Sequence, residues 1–538
     1  MSGKRQDAGS ARWVRRAVLG ALALVFLVRE LLYFIFCVVA TGYVVWRVPG
    51  LQAWLTTGAM WLEMQRVPPP PPRSVSSTEP AAKLVTNAQG LRYAGDLFVS
   101  TNVWDVHLRF TESEWLMLTP EKIPPVPTIF RPDGTVVLSN PYAKRNGLVG
   151  ALGFHLPWST CDMVFGDTVF SNVAVRFKGN GTFVSSQRTY KRPFKIDLAR
   201  GGTGVRLAGR SVLNFHNLIA DGSYLSDALG YEFCREAGLP APRTTFARLR
   251  LTLCGRFENG LLGLYAIVEN PDAEWAGECF GIDGVALFKP VTSELFKYLG
   301  DDWTAYERIY DPRTWLEDWQ RRRIIDLAKL VTFADDETFS RQIGEFLDLA
   351  ELARFLACQV LLANYDSVLS TGQNFILYLD PYGGRFGFVP WDLDHSWGEF
   401  PLVGTFEQRA RASIWRPWVG ENRFLERLFG VQAFQRRYRA ELEHLRRTVF
   451  VPHKLEQRLE CFAAVVRPFV AEESPDKLVR FEKIVAGFNP DSKPPGEPIA
   501  SQATHFAYKW FFAMRAESVD AQLAGREPGI VLQRGGRR

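Results

Sequence analysis

Little in this chain points to thiolate–metal chemistry or to a polyanion surface. Its seven cysteines (Cys37, Cys161, Cys234, Cys254, Cys279, Cys358 and Cys461) are odd in number and scattered. No Cys-x-x-Cys pair and no His/Cys spacing suggests a zinc site, so core positions are where most of them are expected. The formal net charge is only +6, too small to argue for nucleic acid. No low-complexity block dominates and no internal repeat is visible. What is present is the composition of a folded protein: 47% apolar, 13% aromatic and 23% charged. At 538 residues the chain exceeds what one compact core usually holds, so one large bilobal unit or two to three domains is expected.

The N-terminus is basic (1–16, with Lys4, Arg5, Arg12, Arg15 and Arg16) and is followed by apolar runs at Ala17–Val28 and Leu31–Trp46. Neither alone reaches the ~20 residues that span a bilayer, and Arg29-Glu30 between them is costly at mid-membrane. A span starting near Leu31, a span with the pair at an interface, and a hairpin-like anchor all remain open. With no small-residue cleavage site, an uncleaved single-pass anchor over 17–48 is expected. Charge asymmetry favours an exported globular part. A juxtamembrane stretch (49–66) and a Pro/Ser-rich linker (67–90) then hold the globular part away from the membrane.

The informative segment is Asn364–Asp394, NYDSVLSTGQNFILYLDPYGGRFGFVPWDLD. It reads as a hairpin with an apolar run Phe375–Leu379, a turn Asp380–Gly384 and a second run Arg385–Trp391. A turn centred on Tyr382 puts Asn374 opposite Pro390 and brings Asp366, Asn374 and Asp392 together. Carboxylates gathered with an amide are hard oxygen ligands, suited to Mg²⁺ or Mn²⁺.

Upstream, Val103–Phe110, Asn172–Lys178, Arg192–Leu198, Thr245–Leu253 and Leu262–Val268 read as strands, and Tyr224–Ala237 as a helix carrying Asp227 and Glu232. The strand bearing Arg176 and Lys178 runs into Gly179-Asn180-Gly181-Thr182, a turn able to cradle phosphates. Beyond this the chain reads as mostly helical, at Leu349–Ala363, Arg423–Phe450, His453–Val470 and Phe506–Leu523. The order is strand, glycine turn, strand with a lysine, helix with an acid, Asp…Asn, hairpin, Asp. That is the order of a protein-kinase-like fold, although no HRD, DFG or GxGxxG signature is present.

The motifs Val175–Asn180 (VRFKGN), Lys191–Leu198 (KRPFKIDL), Ala237–Thr244 (AGLPAPRT), Gly263–Glu269 (GLYAIVE), Asn364–Asp366 (NYD), Asn374–Tyr378 (NFILY) and Pro390–Asp394 (PWDLD) resemble the spore-coat-protein-H (CotH) family of atypical kinases. The resemblance runs from about Val103 to Gly525. It departs at Gly181-Thr182, where members commonly carry a Ser pair, and at Ser226, where an Arg is expected.

The resemblance implies an α+β, bilobal, protein-kinase-like domain over 91–525, with a mixed or antiparallel N-lobe sheet (about 100–270) and a mostly helical C-lobe (about 271–525), behind the transmembrane anchor. A basic tail, 526–538, follows. Asp366 becomes the catalytic residue, and Asn374, Asp392 and Asp394 the metal side, with Asp394 either a ligand or a brace. Lys195 would grip ATP phosphates, with Asp227 or Glu232 as its ion-pair partner. Arg176, Lys178, Gly179 and Asn180 would hold further phosphate oxygens, and Glu269 would mark the adenine hinge. The expected activity is Mg²⁺- or Mn²⁺-dependent transfer of the γ-phosphoryl of ATP to Ser/Thr of a protein, with no nucleic-acid partner. Nucleotidylation, amino-acid ligation or a non-catalytic binding role are the alternatives. His216 and His395 have no constellation in the sequence and read as structural.

Overall fold

The computed structural model describes residues 69–75, 84–127, 129, 137–487 and 507–533. The anchor expected at 17–48 lies outside them, and among the described residues no helix is long and apolar enough to cross a membrane.

Seven strands close into a barrel: β1 (Val103–Phe110), β4 (Ser159–Phe165), β5 (Thr168–Phe177), β6 (Phe194–Asp197), β7 (Val212–His216), β8 (Thr244–Leu253) and β9 (Phe257–Glu269), in the order β1-β4-β5-β6-β7-β9-β8. The short strands β2 (Glu121–Lys122) and β3 (Phe154–His155) pair beside it. Six of the barrel's contacts are antiparallel. The seventh, β1 on β8, is parallel from Val103↔Phe246 to Phe110↔Leu253 and shuts the sheet. Where a mixed or antiparallel N-lobe sheet of a bilobal domain was expected, the sheet is a closed barrel. Because β1 is paired along both sides, no free edge remains for a lobe boundary. Glu63–Arg538 is moreover one compact unit, not the expected two-lobed, kinase-like arrangement.

Alternation builds the barrel. On β5, Val173, Val175 and Phe177 are buried while Arg176 and Lys178 share the other face. Phe177 and Phe194 lie 5.5 Å apart, and Phe194 meets Tyr265 at 6.5 Å although β7 separates β6 from β9. The lumen is therefore packed with rings rather than hollow.

The rest is helical around a three-stranded sheet of β10 (Ala286–Phe288), β11 (Phe375–Leu379) and β12 (Phe386–Pro390). The Leu349–Leu361 helix starts at Asp348, whose side chain accepts from Ala350 N (2.9 Å) and Glu351 N (3.0 Å), a cap that contributes about 1 kcal/mol. Where one helix was expected over Arg423–Phe450 there are two, Arg423–Gly430 and Gln432–Thr448. Asn422 caps the first of them, its Oδ1 accepting from Leu425 N (3.0 Å).

The Pro452–Glu473 helix ties this half to the barrel. Glu473 accepts from Lys191 Nζ (2.7 Å) and from the backbone N of Leu264 (2.6 Å), and Glu472 pairs with Arg248. Gly263 makes room for Glu473: its φ is +106°, and a Cβ there would lie 2.2 Å from Glu473 Oε1.

Candidate active site

The hairpin forms as expected but slips by one residue. Phe375 faces Pro390, and Asp380 N bonds Arg385 O, so the turn is centred between Tyr382 and Gly383. Asn374 therefore meets Trp391, whose N–H donates to the Asn374 carbonyl at 3.3 Å. The base of the ladder still gathers the expected groups. Asp366, 8% exposed, accepts from Thr371 Oγ1 (2.9 Å), Gln373 Nε2 (2.8 Å) and Asn374 Nδ2 (3.0 Å). Three donors fix both carboxylate oxygens in one orientation. The loop that carries them is pinned at Gly372, where a Cβ would lie 1.9 Å from Thr292 O.

Asp392 sits at the exit of β12 with φ +54°, and Asn374 at φ +61°. For non-glycine residues this left-handed backbone costs about 1 kcal/mol or more each, and local bonds hold it. The Asp392 N–H donates to the Tyr231 hydroxyl (2.8 Å), and the Leu393 N–H donates to Asp227 Oδ1 (2.8 Å). The other Asp227 oxygen bonds His216 Nδ1 at 2.7 Å, and His216 Nδ1 lies 3.7 Å from Asp392 Oδ1. The Ser226–Glu236 helix packs closely on this loop at Gly230, where a Cβ would lie 2.9 Å from Leu393. Asp227 thus braces the loop that presents Asp392, and it is not hydrogen-bonded to Lys195.

Two lysines stand over Trp391, the residue before Asp392: Lys289 Nζ at 5.1 Å and Lys178 Nζ at 5.5 Å from the ring centre. Burial pulls Lys178 down to about 8 against the attraction of Asp392, Asp227 and Asp394. Burial likewise lowers Lys195, with Arg313, Arg176 and Lys178 adding repulsion, to about 7. The two neighbouring aspartates are pushed apart. Burial opposes ionisation of Asp392, but His216, Lys178, Lys289 and His395 outweigh it and hold the carboxyl below its ordinary range. Asp394 is driven well above that range by burial and then by Asp392, Asp227, Asp366 and Asp221. This crowd of carboxylates fits a divalent cation, which would relieve the repulsion. Ligand atoms of His216, Asp227 and Asp392 lie within 4.8 Å of one another, among the described residues.

The remaining expected site residues divide. Lys195 is opposite Arg176 across β5–β6, on the face that Arg176 shares with Lys178, and its Nζ donates to Asn270 Oδ1 at 3.1 Å. Gly179 and Asn180 line a cavity together with Arg176. Glu232 pairs with Arg235 on its own helix. Glu269 is 1% exposed and accepts from Arg210 Nε (2.9 Å) and from Arg243 Nη2 (2.6 Å). Its backbone N–H is taken by Arg243 O, so this strand end is closed by arginines. Three participants had no signal strong enough to find them. His216 ends a five-residue strand, and Tyr231 and Lys289 read as ordinary helix and loop positions.

A family model described as "CotH kinase protein" matches residues 175–489. The chain belongs to the CotH family. It is also similar to the inner spore coat protein H of Bacillus subtilis (strain 168), at 24% identity over 269 residues, which is 49% of this chain and 70% of that relative. The CotH match contains every motif read from the sequence between Val175 and Asp394, and with them the glycine turn, the Asp366 loop and the Asp392 loop.

Proposed function

We propose that this CotH-family chain is a metal-dependent kinase that transfers the γ-phosphoryl group of ATP to a Ser/Thr hydroxyl of a protein. One observation carries the reading: a carboxylate clamped by three donors, Asp366, shares the base of a hairpin with a second carboxylate, Asp392, that no side-chain donor among the described residues clamps in the same way. Phosphoryl transfer needs these as separate groups, one to handle the acceptor proton and one to hold a cation against the phosphates.

In this reading Asp366 orients the acceptor hydroxyl and takes its proton as the oxygen attacks phosphorus. Asn374, which donates its NH₂ to Asp366, would hold the cation together with Asp392, and Asp394 would serve as a further ligand or as a brace for the loop. Mg²⁺ or Mn²⁺ bound there would offset the charge of the phosphates. Lys178 and Lys289, held over Trp391, face the same charge, while Asp227 and Tyr231 keep Asp392 in place.

The test uses the full chain with a Ser-rich acceptor protein, Mg²⁺ or Mn²⁺, and ATP labelled at either the γ or the α position. Label from the γ position in wild type, lost in Asp366→Asn, is the expected result. Transfer of α-label alone would replace this reading with nucleotidylation.

A further inference from the structure

His216 stands among the acids at the exit of β12, and one end of its ring is unaccounted for. It closes β7, a strand bonded on one side by β6 and on the other by β9. The turn that follows is tied down by Asn217, whose Nδ2 donates to Lys191 O at 2.9 Å. His216 is 7% exposed, and its ring meets the Trp391 ring edge-on at 5.9 Å. Nδ1 bonds Asp227 Oδ2 at 2.7 Å, and the second Asp227 oxygen is taken by the Leu393 N–H. The ring is thus held in one place and one orientation. Nε2, however, is buried with no hydrogen-bond partner among the described residues. His107 shows the contrast: its Nε2 bonds Thr252 Oγ1 at 2.9 Å and its Nδ1 accepts from Arg109 Nε at 3.5 Å. A structural histidine has both nitrogens answered, and His216 does not.

The tautomer decides what the free atom can do. A carboxylate accepts, so in the neutral ring Nδ1 turns its proton to Asp227 and Nε2 keeps the lone pair. An imidazole fixed by a carboxylate through one nitrogen, with the other free, is how metal-binding histidines are set up. The anionic half of such a site adjoins it. Asp392 Oδ1 lies 3.7 Å from the ring, and ligand atoms of His216, Asp227 and Asp392 fall within 4.8 Å of one another. His395 is the rival, since its Nδ1 is also buried without a partner. It is only half-buried as a residue, packs on Phe400 at 5.7 Å, and joins no such cluster among the described residues.

We propose that His216 is a nitrogen ligand of the divalent cation at Asp392, with Asp227 as the carboxylate that orients its ring. The proposal rests on the reading that Asp392 holds a cation, and it names which cation that is. Carboxylate and amide oxygens serve Mg²⁺ and Mn²⁺ alike. An imidazole nitrogen separates them: Mg²⁺ is a hard ion that keeps to oxygen, whereas first-row transition ions accept nitrogen readily. The site therefore prefers Mn²⁺ to Mg²⁺.

Pulsed electron paramagnetic resonance of the full chain with Mn²⁺ alone, beside calorimetric titration with Mn²⁺ and with Mg²⁺, tests it. Wild type shows the coupling of a directly bound imidazole nitrogen and binds Mn²⁺ about tenfold or more tighter than Mg²⁺. His216→Asn loses that coupling and weakens Mn²⁺ binding by about tenfold or more, with a smaller loss for Mg²⁺. His395→Asn keeps both the coupling and the preference. If His216→Asn fails to fold, protein grown on ¹⁵N-histidine replaces it: a ¹⁵N coupling in wild type and in His395→Asn alike leaves His216 as its source. No Mn²⁺ binding by wild type, binding without nitrogen coupling, or equal affinity for the two ions overturns the proposal. So does a coupling that survives in a folded His216→Asn or vanishes in His395→Asn. If the coupling and the Mn²⁺ preference appear but no γ-label is transferred, the kinase reading fails and this one stands. If γ-label moves equally well with either ion and no nitrogen coupling is seen, the reverse holds.

Discussion

The end of β9 and the end of β12 each bring carboxylates into the interior, and their surroundings treat them in opposite ways. At β9, Glu269 accepts from Arg210 and Arg243 and every oxygen is answered. At β12, Asp392 and Asp394 meet further acids, Asp227 and Asp366, while the nearest lysines rest over an indole ring instead of on a carboxylate. A matched cluster holds strands in place. A mismatched one stores repulsion that a bound cation would relieve, which is why the proposed metal site is placed there.

The sharpest break in this comparison is Asp392→Ala. It removes the cation-side carboxylate, so phosphoryl transfer falls by on the order of 10³-fold or more, while the melting temperature changes little because relief of Asp394 and loss of the attraction to His216 and the lysines oppose each other. Parallel label-transfer and melting measurements check both halves, and a large loss of stability would put Asp392 in the structural class. Glu269→Gln is the counterpart. It strands Arg210 and Arg243 in a buried setting and lowers stability by about 3–5 kcal/mol, read from denaturant unfolding, with activity per folded molecule little changed.

A third prediction uses pH. Burial opposes ionisation of Glu473, but Lys191, then Lys477, and the hydrogen bonds from Lys191 and Leu264 overcome it and bring it down to about 2 from an ordinary value of 4.5. A carboxyl lowered on folding adds stability that is fully present above its unfolded value and is lost as pH falls through its folded value. On the order of 3 kcal/mol should therefore fade as pH drops from about 4.5 to about 2. The stability gap between wild type and Glu473→Gln should close over that window; a constant gap would remove the charge pair as its cause. The mildest change expected is Asp227→Asn. It keeps a side chain beside His216 and the Leu393 N–H but alters the brace, so the metal concentration for half-maximal activity rises about 10–100-fold with a smaller change in kcat. A kcat effect equal to that of Asp392→Ala would make Asp227 a direct ligand.

The parts of this comparison that lie close in sequence were legible. Asp366, Asn374 and Asp392 fall within one hairpin, whose apolar runs and turn residues fix it to within one register step. The helices at Leu349 and Ser226 followed from their apolar spacing. Closure of the barrel was not legible, because it depends on β1 meeting β8 more than 140 residues later, a pairing no local pattern encodes. The strands Ser159–Phe165 and Val212–His216 were missed as well, being short and interrupted by polar residues such as Asp162 and Asn214. With β7 unseen, His216 had no place near Asp227. The partners of Glu269 were hidden for a similar reason: Arg210 and Arg243 lie 59 and 26 residues away in the chain.

The staple of Glu472 and Glu473 has a consequence for motion. Enzymes that open and close by swinging two halves apart rely on a weak seam between them. Here that swing would pull Glu473 from Lys191 and Glu472 from Arg248, leaving ions with 3–11% side-chain exposure unpaired. Each broken buried pair costs about 3–5 kcal/mol, so the gaping state is populated at well under about one part in a hundred. Any change of shape then falls to smaller movements than a swing of halves, with the barrel and the Pro452–Glu473 helix travelling as one body.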